Sequence, residues 1–118
     1  MSKHLHTGRE GEALAAGHLQ ENGYTILHQN WRHSHWEIDL IVTKDKCLHF
    51  IEVKTRRTKK FGYPEEAVTK KKFKHLQEAA TEFLYQYPQW ERIQFDILSI
   101  SIGKDSKIEY FLIEDVFL

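Results

Sequence analysis

Two apolar segments on either side of a short polar turn constrain the fold of this chain most strongly. Residues 37–43 and 47–55 are rich in β-branched and aromatic side chains, and residues 44–46 between them are polar. This pattern predicts two antiparallel strands joined by a tight turn. A third strand is predicted at residues 24–30, with a turn at residues 32–34 after it. The three strands together form a predicted antiparallel meander.

A helix is predicted before the meander, over residues 7–22. Thr7 and Glu10 have the spacing of a capping box at its start, and Gly23 is a typical helix stop. Residues 1–6 precede this helix and are expected to be flexible.

A second helix is predicted after the meander, and two further strands follow it. Pro64 suits the first turn of this helix, which is expected to run to about Tyr85, and strands are predicted at residues 93–102 and 107–114. A helix between the third and fourth strands permits a parallel crossover. The predicted fold class is therefore α/β, with an αβββαβ core, a mixed central sheet flanked by helices, and one extra C-terminal strand.

The composition suits one intracellular domain. The chain has 118 residues, 41% of them hydrophobic and 29% charged, so residues 1–118 are expected to form a single globular domain. The single cysteine, Cys47, excludes an internal disulfide. No apolar run approaches the length of a membrane span, and no signal-peptide core is present. We therefore expect a cytoplasmic protein without a membrane partner.

The charges are unevenly distributed along the chain. The formal net charge is +0, but the segment from Lys54 to Lys74 holds nine Lys or Arg and two Glu, a local charge of +7. The rest of the chain therefore carries −7. A basic segment of this kind is typical of nucleic-acid contacts, and it is equally compatible with a solvated, salt-bridged helix face.

The third strand contains the strongest chemical signal, an acidic and a basic residue in an apolar sequence. Because strand side chains alternate, Glu52 and Lys54 point to one face of the sheet, roughly 7 Å apart. Charged groups in so apolar a strand need partners, because their desolvation is costly. Those partners are each other, another charge or a metal ion.

The second strand adds another carboxylate, Asp39. Asp39 and Glu52 are nearly equidistant from the turn between their strands, so the hairpin brings them opposite each other. Two adjacent carboxylates repel unless a divalent cation neutralises them. Glu37 has the same alternation as Asp39 and is an auxiliary acid, or else an ion-pair partner at the strand start.

The first helix supplies a further acid to the predicted site. On a helical wheel, Glu12 lies in the apolar stripe with Ala15, Ala16 and Leu19, which is expected to face the sheet. A core-facing glutamate is rare without a function. The alternative interpretation is that Glu12 only interacts favourably with the helix dipole.

These residues predict a site that holds Mg²⁺ or Mn²⁺ and acts on phosphodiester bonds. The oxygen ligands would come from Asp39, Glu52 and Glu12, and Lys54 would stabilise developing negative charge. The phosphate backbone would be held by the basic residues, namely Arg56, Arg57, Lys59, Lys60, Lys70 and Lys72. Asp96, in the fourth predicted strand, is interpreted as structural, with Arg56 or Arg92 as its partner.

The acids and the lysine resemble the signature of the PD-(D/E)XK endonuclease superfamily. Asp39 matches the acid and Glu52-Val53-Lys54 matches the E-x-K triplet, while Ile38 stands where the superfamily name has Pro. Nearly the whole chain resembles the YraN family of uncharacterised bacterial proteins. The matching motifs are Gly8-Arg9-Glu10-Gly11-Glu12, Gly23-Tyr24, Asn30-Trp31-Arg32, Glu37-Ile38-Asp39-Leu40-Ile41, Phe50-Ile51-Glu52-Val53-Lys54-Thr55-Arg56 and Phe95-Asp96.

The resemblance implies a restriction-endonuclease-like fold and a DNA-cleaving site. The family is similar to archaeal Holliday-junction resolvases, which implies branched or structured DNA as substrate, a role in repair or recombination, and a homodimer, because a junction has paired cut sites. Two other hypotheses remain open. One is a catalytically silent nucleic-acid-binding module, and the other is an interaction subunit of a DNA-processing complex.

Overall fold

The computed structural model describes residues 3–57, 69–105 and 107–116. The elements in chain order are helix α1 (Lys3–Glu21), strands β1 (Thr25–His33), β2 (Trp36–Lys44) and β3 (Cys47–Arg57), helix α2 (Lys70–Gln86), and strands β4 (Ile93–Ile102) and β5 (Ile108–Ile113). This is the predicted αβββαβ core followed by one C-terminal strand, so the predicted fold class is confirmed.

The strands form one mixed sheet in the order β1-β2-β3-β4-β5. Strands β1, β2 and β3 pair antiparallel, as the short turns between them require. The crossover through α2 brings β4 parallel to β3, and β5 pairs antiparallel with β4. The end of β3 and the start of β2 therefore lie at the same end of the sheet.

The turn between β2 and β3 sets the register that the site depends on. Its two central residues, Asp45 and Lys46, have positive φ angles of 52° and 65°, the backbone of a two-residue type I′ hairpin. The pairing Leu40↔Ile51 ends the ladder, and Asp39 and Glu52 are the next residues beyond it. The predicted opposition of these two acids is confirmed.

The two helices cover two separate apolar clusters. Helix α2 contributes Phe73 and Phe83 to a cluster that includes Phe50 of β3. Helix α1 contributes Ala15 and Leu19 to the other. Neither of the two helices in the described part of the chain is long and apolar enough to cross a membrane.

Helix α1 begins earlier than the sequence predicts. It starts at Lys3, so Thr7 lies inside the helix and is not its N-cap, and the backbone expected to be flexible before Thr7 is helical from Lys3 onward. The sequence offers no Pro or Gly before Gly8 that would interrupt a helix. The stop at Gly23 is confirmed, with a φ of +90° that glycine adopts readily.

Helix α2 begins later than the sequence predicts. Thr69 has an extended backbone, with φ −89° and ψ 166°, and its hydroxyl accepts a hydrogen bond from the backbone N–H of Lys72. This N-cap ends any helix that approaches from the N-terminal side, so the predicted continuous helix from Pro64 is wrong at Thr69. Pro64 itself lies outside the described residues.

Asp96 is structural, but its partners differ from the prediction. It is fully buried, and His49 Nδ1 lies 2.7 Å from its Oδ2. Its Oδ1 accepts from Gln94 Nε2 at 2.9 Å and from the backbone N–H of Asp115 at 3.0 Å. Arg56 and Arg92 were expected in this role. His49, which the sequence analysis did not single out, is the side chain that makes the buried pair.

Candidate active site

Two half-buried carboxyl groups, those of Asp39 and Glu52, form the centre of the candidate site. Asp39 Oδ2 accepts a hydrogen bond of 2.8 Å from the backbone N–H of Val53, across the hairpin. Glu52 lies close enough for its charge to raise the pKa of Asp39. The tight β2–β3 turn thus brings together two acids that lie on strands with mostly apolar neighbours. We call them the acid pair.

Burial makes the acid pair hard to ionise completely. Desolvation, followed by the nearby charge of Glu52, raises the pKa of Asp39 from 3.8 to about 7. Desolvation also raises the pKa of Glu52, while Lys54, the hydrogen bond with Asp39, and Lys72 act in the opposite direction. Near neutral pH the acid pair therefore holds a proton that a bound cation would displace.

Two lysines converge on the acid pair. Lys54 Nζ lies 3.7 Å from Glu52 Oε1, and the two side chains are only 25% and 24% exposed. Lys72, near the start of α2, interacts with Lys54, which lowers the pKa of Lys72, and the charge of Glu52 partly offsets this. The sequence analysis assigned Lys72 only to DNA binding. Its position beside the acid pair results from the packing of α2, for which sequence spacing gives no signal.

Glu12 is held close to the acid pair by the close packing of α1 against β3. Gly11 is buried, and a Cβ at this position would lie 2.7 Å from the Cβ of Thr55. Glu12 Oε2 accepts a hydrogen bond of 3.2 Å from Asn30 Nδ2, and its charge contributes to the raised pKa of Asp39.

Glu12 is not gathered with the acid pair into a three-ligand cluster. In the part of the chain that the structure describes, no three His, Cys, Asp or Glu side chains lie close enough to hold a metal ion together. Glu12 as a metal ligand stays a prediction. It requires the Glu12 carboxylate to exchange Asn30 for the ion.

The acid pair opens into a groove of about 240 Å³. This volume is below the range of about 300–1,000 Å³ that is typical of small-molecule pockets. The groove suits one part of an extended ligand better than a whole small molecule. Its lining residues are His35, Glu37, Asp39, Glu52, Lys72, His75 and Leu76.

Glu37 makes an ion pair near the strand start, and its role as an auxiliary acid stays a prediction. Its Oε1 lies 3.3 Å from Arg32 Nη2 in an exposed ion pair, and it also lines the groove beside Asp39. His35 and His75 line the same groove from the β1–β2 turn and from α2. Sequence reasoning did not select His75, because only the fold brings it next to the hairpin.

A larger groove, of about 530 Å³, lies at the opposite end of the sheet, beside the β2–β3 turn. Lys44, Lys46 and Trp90 are among its lining residues. The smaller groove is the better candidate despite its size, because it contains two half-buried carboxyl groups and the pKa of one of them, Asp39, is raised to about 7, which is typical of functional sites.

The predicted DNA-contacting residues lie in different environments. Arg57 is engaged in an ion pair with Glu10, and Arg56 is half-buried on β3. Lys70 is exposed at the start of α2, near Lys72. Lys59 and Lys60 lie outside the described residues, so their predicted role stays a prediction.

The donor set of the acid pair fits Mg²⁺ or Mn²⁺. Both groups offer hard carboxylate oxygens, which these ions prefer over softer ligands. Mg²⁺ commonly keeps several waters and uses one or two protein carboxylates together with substrate phosphates. Asp39 and Glu52 meet this requirement without a third protein ligand, and Glu12 lies on the adjoining helix.

Fold and site together define an α/β domain with an acid–lysine cluster at one end of a mixed sheet. The model of the uncharacterised protein family UPF0102 matches residues 11–100, and the chain belongs to this family. This agrees with the resemblance to the YraN family.

Relatives of this family align over nearly the whole chain. A UPF0102 protein of Rhodococcus opacus is 39% identical over 118 residues, covering 99% of this chain and 100% of the relative. A UPF0102 protein of Syntrophomonas wolfei is 44% identical over 108 residues, covering 89% of this chain and 93% of the relative. One of Bacteroides thetaiotaomicron is 36% identical over 117 residues, covering 99% and 96%.

Proposed function

We propose that this protein is a Mg²⁺- or Mn²⁺-dependent endonuclease that hydrolyses phosphodiester bonds in branched or structured DNA. The observation that carries the proposal is the half-buried acid pair, which lies beside two lysines in an open groove. A purely structural role does not explain why Asp39 is placed where desolvation and the charge of Glu52 both oppose its ionisation. A divalent cation removes this conflict.

The acid pair would hold the cation through Asp39 and Glu52. When bound, such an ion neutralises charge on a phosphate and makes a water molecule more acidic. Val53 supports this arrangement, because its backbone N–H fixes one oxygen of Asp39.

The two lysines would act on the phosphate itself. Lys54, held 3.7 Å from Glu52, is positioned to stabilise the negative charge that develops on the phosphate oxygens. Lys72 presents a second ammonium group from the groove wall and would hold a non-bridging oxygen. Such interactions lower the barrier when they strengthen in the transition state.

The surroundings of the groove suit a polyanionic chain. Lys70, Lys71 and Lys74 are exposed on the first turns of α2, next to Lys72 in the groove wall. The preference for branched DNA, and a homodimer that cuts both strands of a junction, are proposed from the resemblance to archaeal resolvases.

A catalytically silent DNA-binding module is the second candidate. It is favoured by the lack of a three-ligand cluster among the described residues. Such a module would bind DNA through the basic segment and would leave every strand intact.

Cleavage of an end-labelled four-way junction tests the proposal. The wild type should cut in Mg²⁺ or Mn²⁺ and not in EDTA. Lys54→Met keeps the length of the side chain and removes its charge, so cleavage should fall about 100-fold or more while Mn²⁺ affinity is retained. Glu91→Gln, an exposed acid far from the groove, is the matched control and should cut like wild type.

Thermal unfolding of the same preparations separates catalysis from folding. If Lys54 served only as the partner of Glu52, its removal would cost about 3–5 kcal/mol, as for other broken buried ion pairs. Early melting of Lys54→Met, or cleavage at the wild-type rate, would contradict a catalytic role. Metal binding without cleavage of junctions, flaps or single strands would favour the silent module.

A further inference from the structure

A series of aromatic rings runs along the β1–β2 hairpin towards the groove. The rings of Trp31 and His33 are stacked, with centroids 6.2 Å apart and planes 15° apart. His33 stacks on Trp36 at 6.2 Å and 12°. Rings with nearly parallel planes present flat faces in one direction, and this series ends at the tip of the hairpin.

The last ring of the series, His35, lies at the groove. Its centroid is 4.6 Å from that of Trp36 and 5.5 Å from that of His75, and His75 Nε2 lies 3.4 Å from the carbonyl oxygen of His35. His35 is exposed, and it lines the groove that contains Asp39 and Glu52. We call His35, Trp36 and His75 the ring cluster.

The ring cluster is anchored from below. Trp31 and Trp36 pack against the apolar cluster under α2, and His33 Nε2 lies 3.2 Å from Glu82 Oε1 on that helix. A ring that rests on a packed core loses little conformational entropy when a ligand stacks on it. The hairpin tip is therefore preorganised, although it is exposed.

We propose that the ring cluster stacks an unpaired nucleobase of DNA, with His35 as the contacting ring, beside the phosphate held at the acid pair. The proposal rests on the proposed function for the identity of the polymer, and it names the substrate class, which is DNA with an unpaired nucleotide at the cut site. In a duplex the faces of the bases are covered by their neighbours, whereas unpaired bases are free to stack on aromatic side chains. Aromatic rings beside a phosphate-binding groove thus select strand form without reading sequence.

Equilibrium binding without cleavage tests this inference independently of catalysis. Fluorescence anisotropy in EDTA would compare an oligothymidylate of about 15 nucleotides, a length suited to one binding site, with a duplex of the same length. The variants are His35→Ala, His35→Phe and Tyr85→Ala. The last removes a ring of α2 that is 83% exposed.

His35→Ala should weaken single-strand binding about fivefold or more, as expected for loss of one stacking platform, and should leave duplex binding unchanged. His35→Phe should restore single-strand binding, and Tyr85→Ala should bind like wild type. The inference is overturned if His35→Ala weakens both strand forms equally or neither of them, or if His35→Phe binds as poorly as His35→Ala.

The outcomes also separate this inference from the proposed function. A selective loss in His35→Ala, with no cleavage by any preparation, supports the ring cluster and contradicts the endonuclease. Metal-dependent cleavage by the wild type, with unchanged single-strand binding by His35→Ala, supports the endonuclease and contradicts the ring cluster. Failure of the wild type to bind either strand form contradicts both.

Discussion

At the scale of single residues, the arrangement of the acid pair that suits cation binding reduces the stability of the fold. Asp39 lies on a strand whose neighbours Leu40, Ile41 and Val42 are almost fully buried. Burial raises the pKa of Asp39 to about 7, so the protein holds this group partly protonated near neutral pH. An ionised carboxylate here reduces stability, and that cost is understandable if the ionised form is the one that binds a cation.

The first prediction concerns the pH dependence of stability in Asp39→Asn. Because the folded-state pKa of Asp39 is raised, the folded state binds more protons than the unfolded state between about pH 4 and pH 7. Wild-type stability should fall as pH rises through this range and stay low above it. Asn does not ionise, and its side-chain oxygen still accepts from Val53. Asp39→Asn should therefore gain roughly 1–3 kcal/mol relative to wild type between about pH 4 and pH 8.

Urea unfolding in EDTA, at about pH 4 and at about pH 8, measures this gain in the free energy of unfolding. Glu91→Gln, which removes an exposed carboxylate, is the control and should show a much smaller change. If Asp39→Asn lost stability relative to wild type as pH rose, the raised pKa of Asp39 would be refuted.

Sequence reasoning reached the residues whose positions follow from strand alternation and turn length. Glu52 and Lys54 share a face because they are two residues apart, and Asp39 lies opposite Glu52 because a two-residue turn joins their strands. Lys72 and His75 were not assigned to the site. Their positions depend on how α2 packs across the sheet, and no local pattern encodes that.

At the scale of elements, the contact between α1 and β3 positions Glu12. Gly11 is the point of closest approach, because its missing side chain leaves room for Thr55. Gly17 lies on the same helix and has no atom within 4 Å of a Cβ built there. The two glycines therefore form a matched pair, one required by packing and one not.

Alanine at the two positions should have opposite effects on stability. Gly11→Ala should destabilise the protein by about 1–3 kcal/mol, since Thr55 has to move or α1 has to withdraw. Gly17→Ala should stabilise it by about 0.5–1 kcal/mol, because alanine favours a helix and meets no neighbour. Thermal unfolding of both variants checks this. Equal effects of the two substitutions would show that α1 does not pack on β3 as described.

Element boundaries were predicted well for β4 and less well for β1 and the helix starts. The first strand was predicted at residues 24–30 with a turn at 32–34, but β1 runs Thr25–His33, because pairing with β2 continues up to the turn. Strand β4 has the predicted bounds, Ile93–Ile102, because its apolar run has a clear beginning and end. Helix α1 begins before Thr7, at Lys3, because the residues there include no Pro or Gly that would stop a helix. Helix α2 starts only after Thr69, whose hydroxyl caps it by accepting a hydrogen bond from the backbone N–H of Lys72.

At the scale of the whole molecule, a neutral chain has nine of its 17 basic residues in one segment of the sequence. The net charge is +0, so attraction of DNA depends on the local excess between Lys54 and Lys74. Lys70 and Lys74 are exposed on the first turns of α2, whereas Lys46 and Arg92 lie at the opposite end of the sheet. Binding through local phosphate contacts depends strongly on salt.

The affinity for DNA should therefore fall steeply as salt concentration rises. Lys70→Ala combined with Lys74→Ala should reduce the slope of log K against log salt by about 2, corresponding to two lost phosphate contacts. Lys46→Ala combined with Arg92→Ala removes the same charge at the other end and should leave the slope unchanged. A flat salt dependence in the wild type would count against DNA as the ligand and favour an interaction subunit.

Binding of a divalent cation at the acid pair is tested most directly by calorimetric titration with Mn²⁺, on wild type and Asp39→Asn, in buffers of different ionisation enthalpy. The wild type should bind Mn²⁺ and release close to one proton per ion near pH 6, and less near pH 8, because the cation displaces the proton held by Asp39. Asp39→Asn should bind at least about tenfold more weakly and release no such proton. Equal Mn²⁺ affinity in the two proteins, or no binding by the wild type, would contradict the assignment of Asp39 and Glu52 as a metal site.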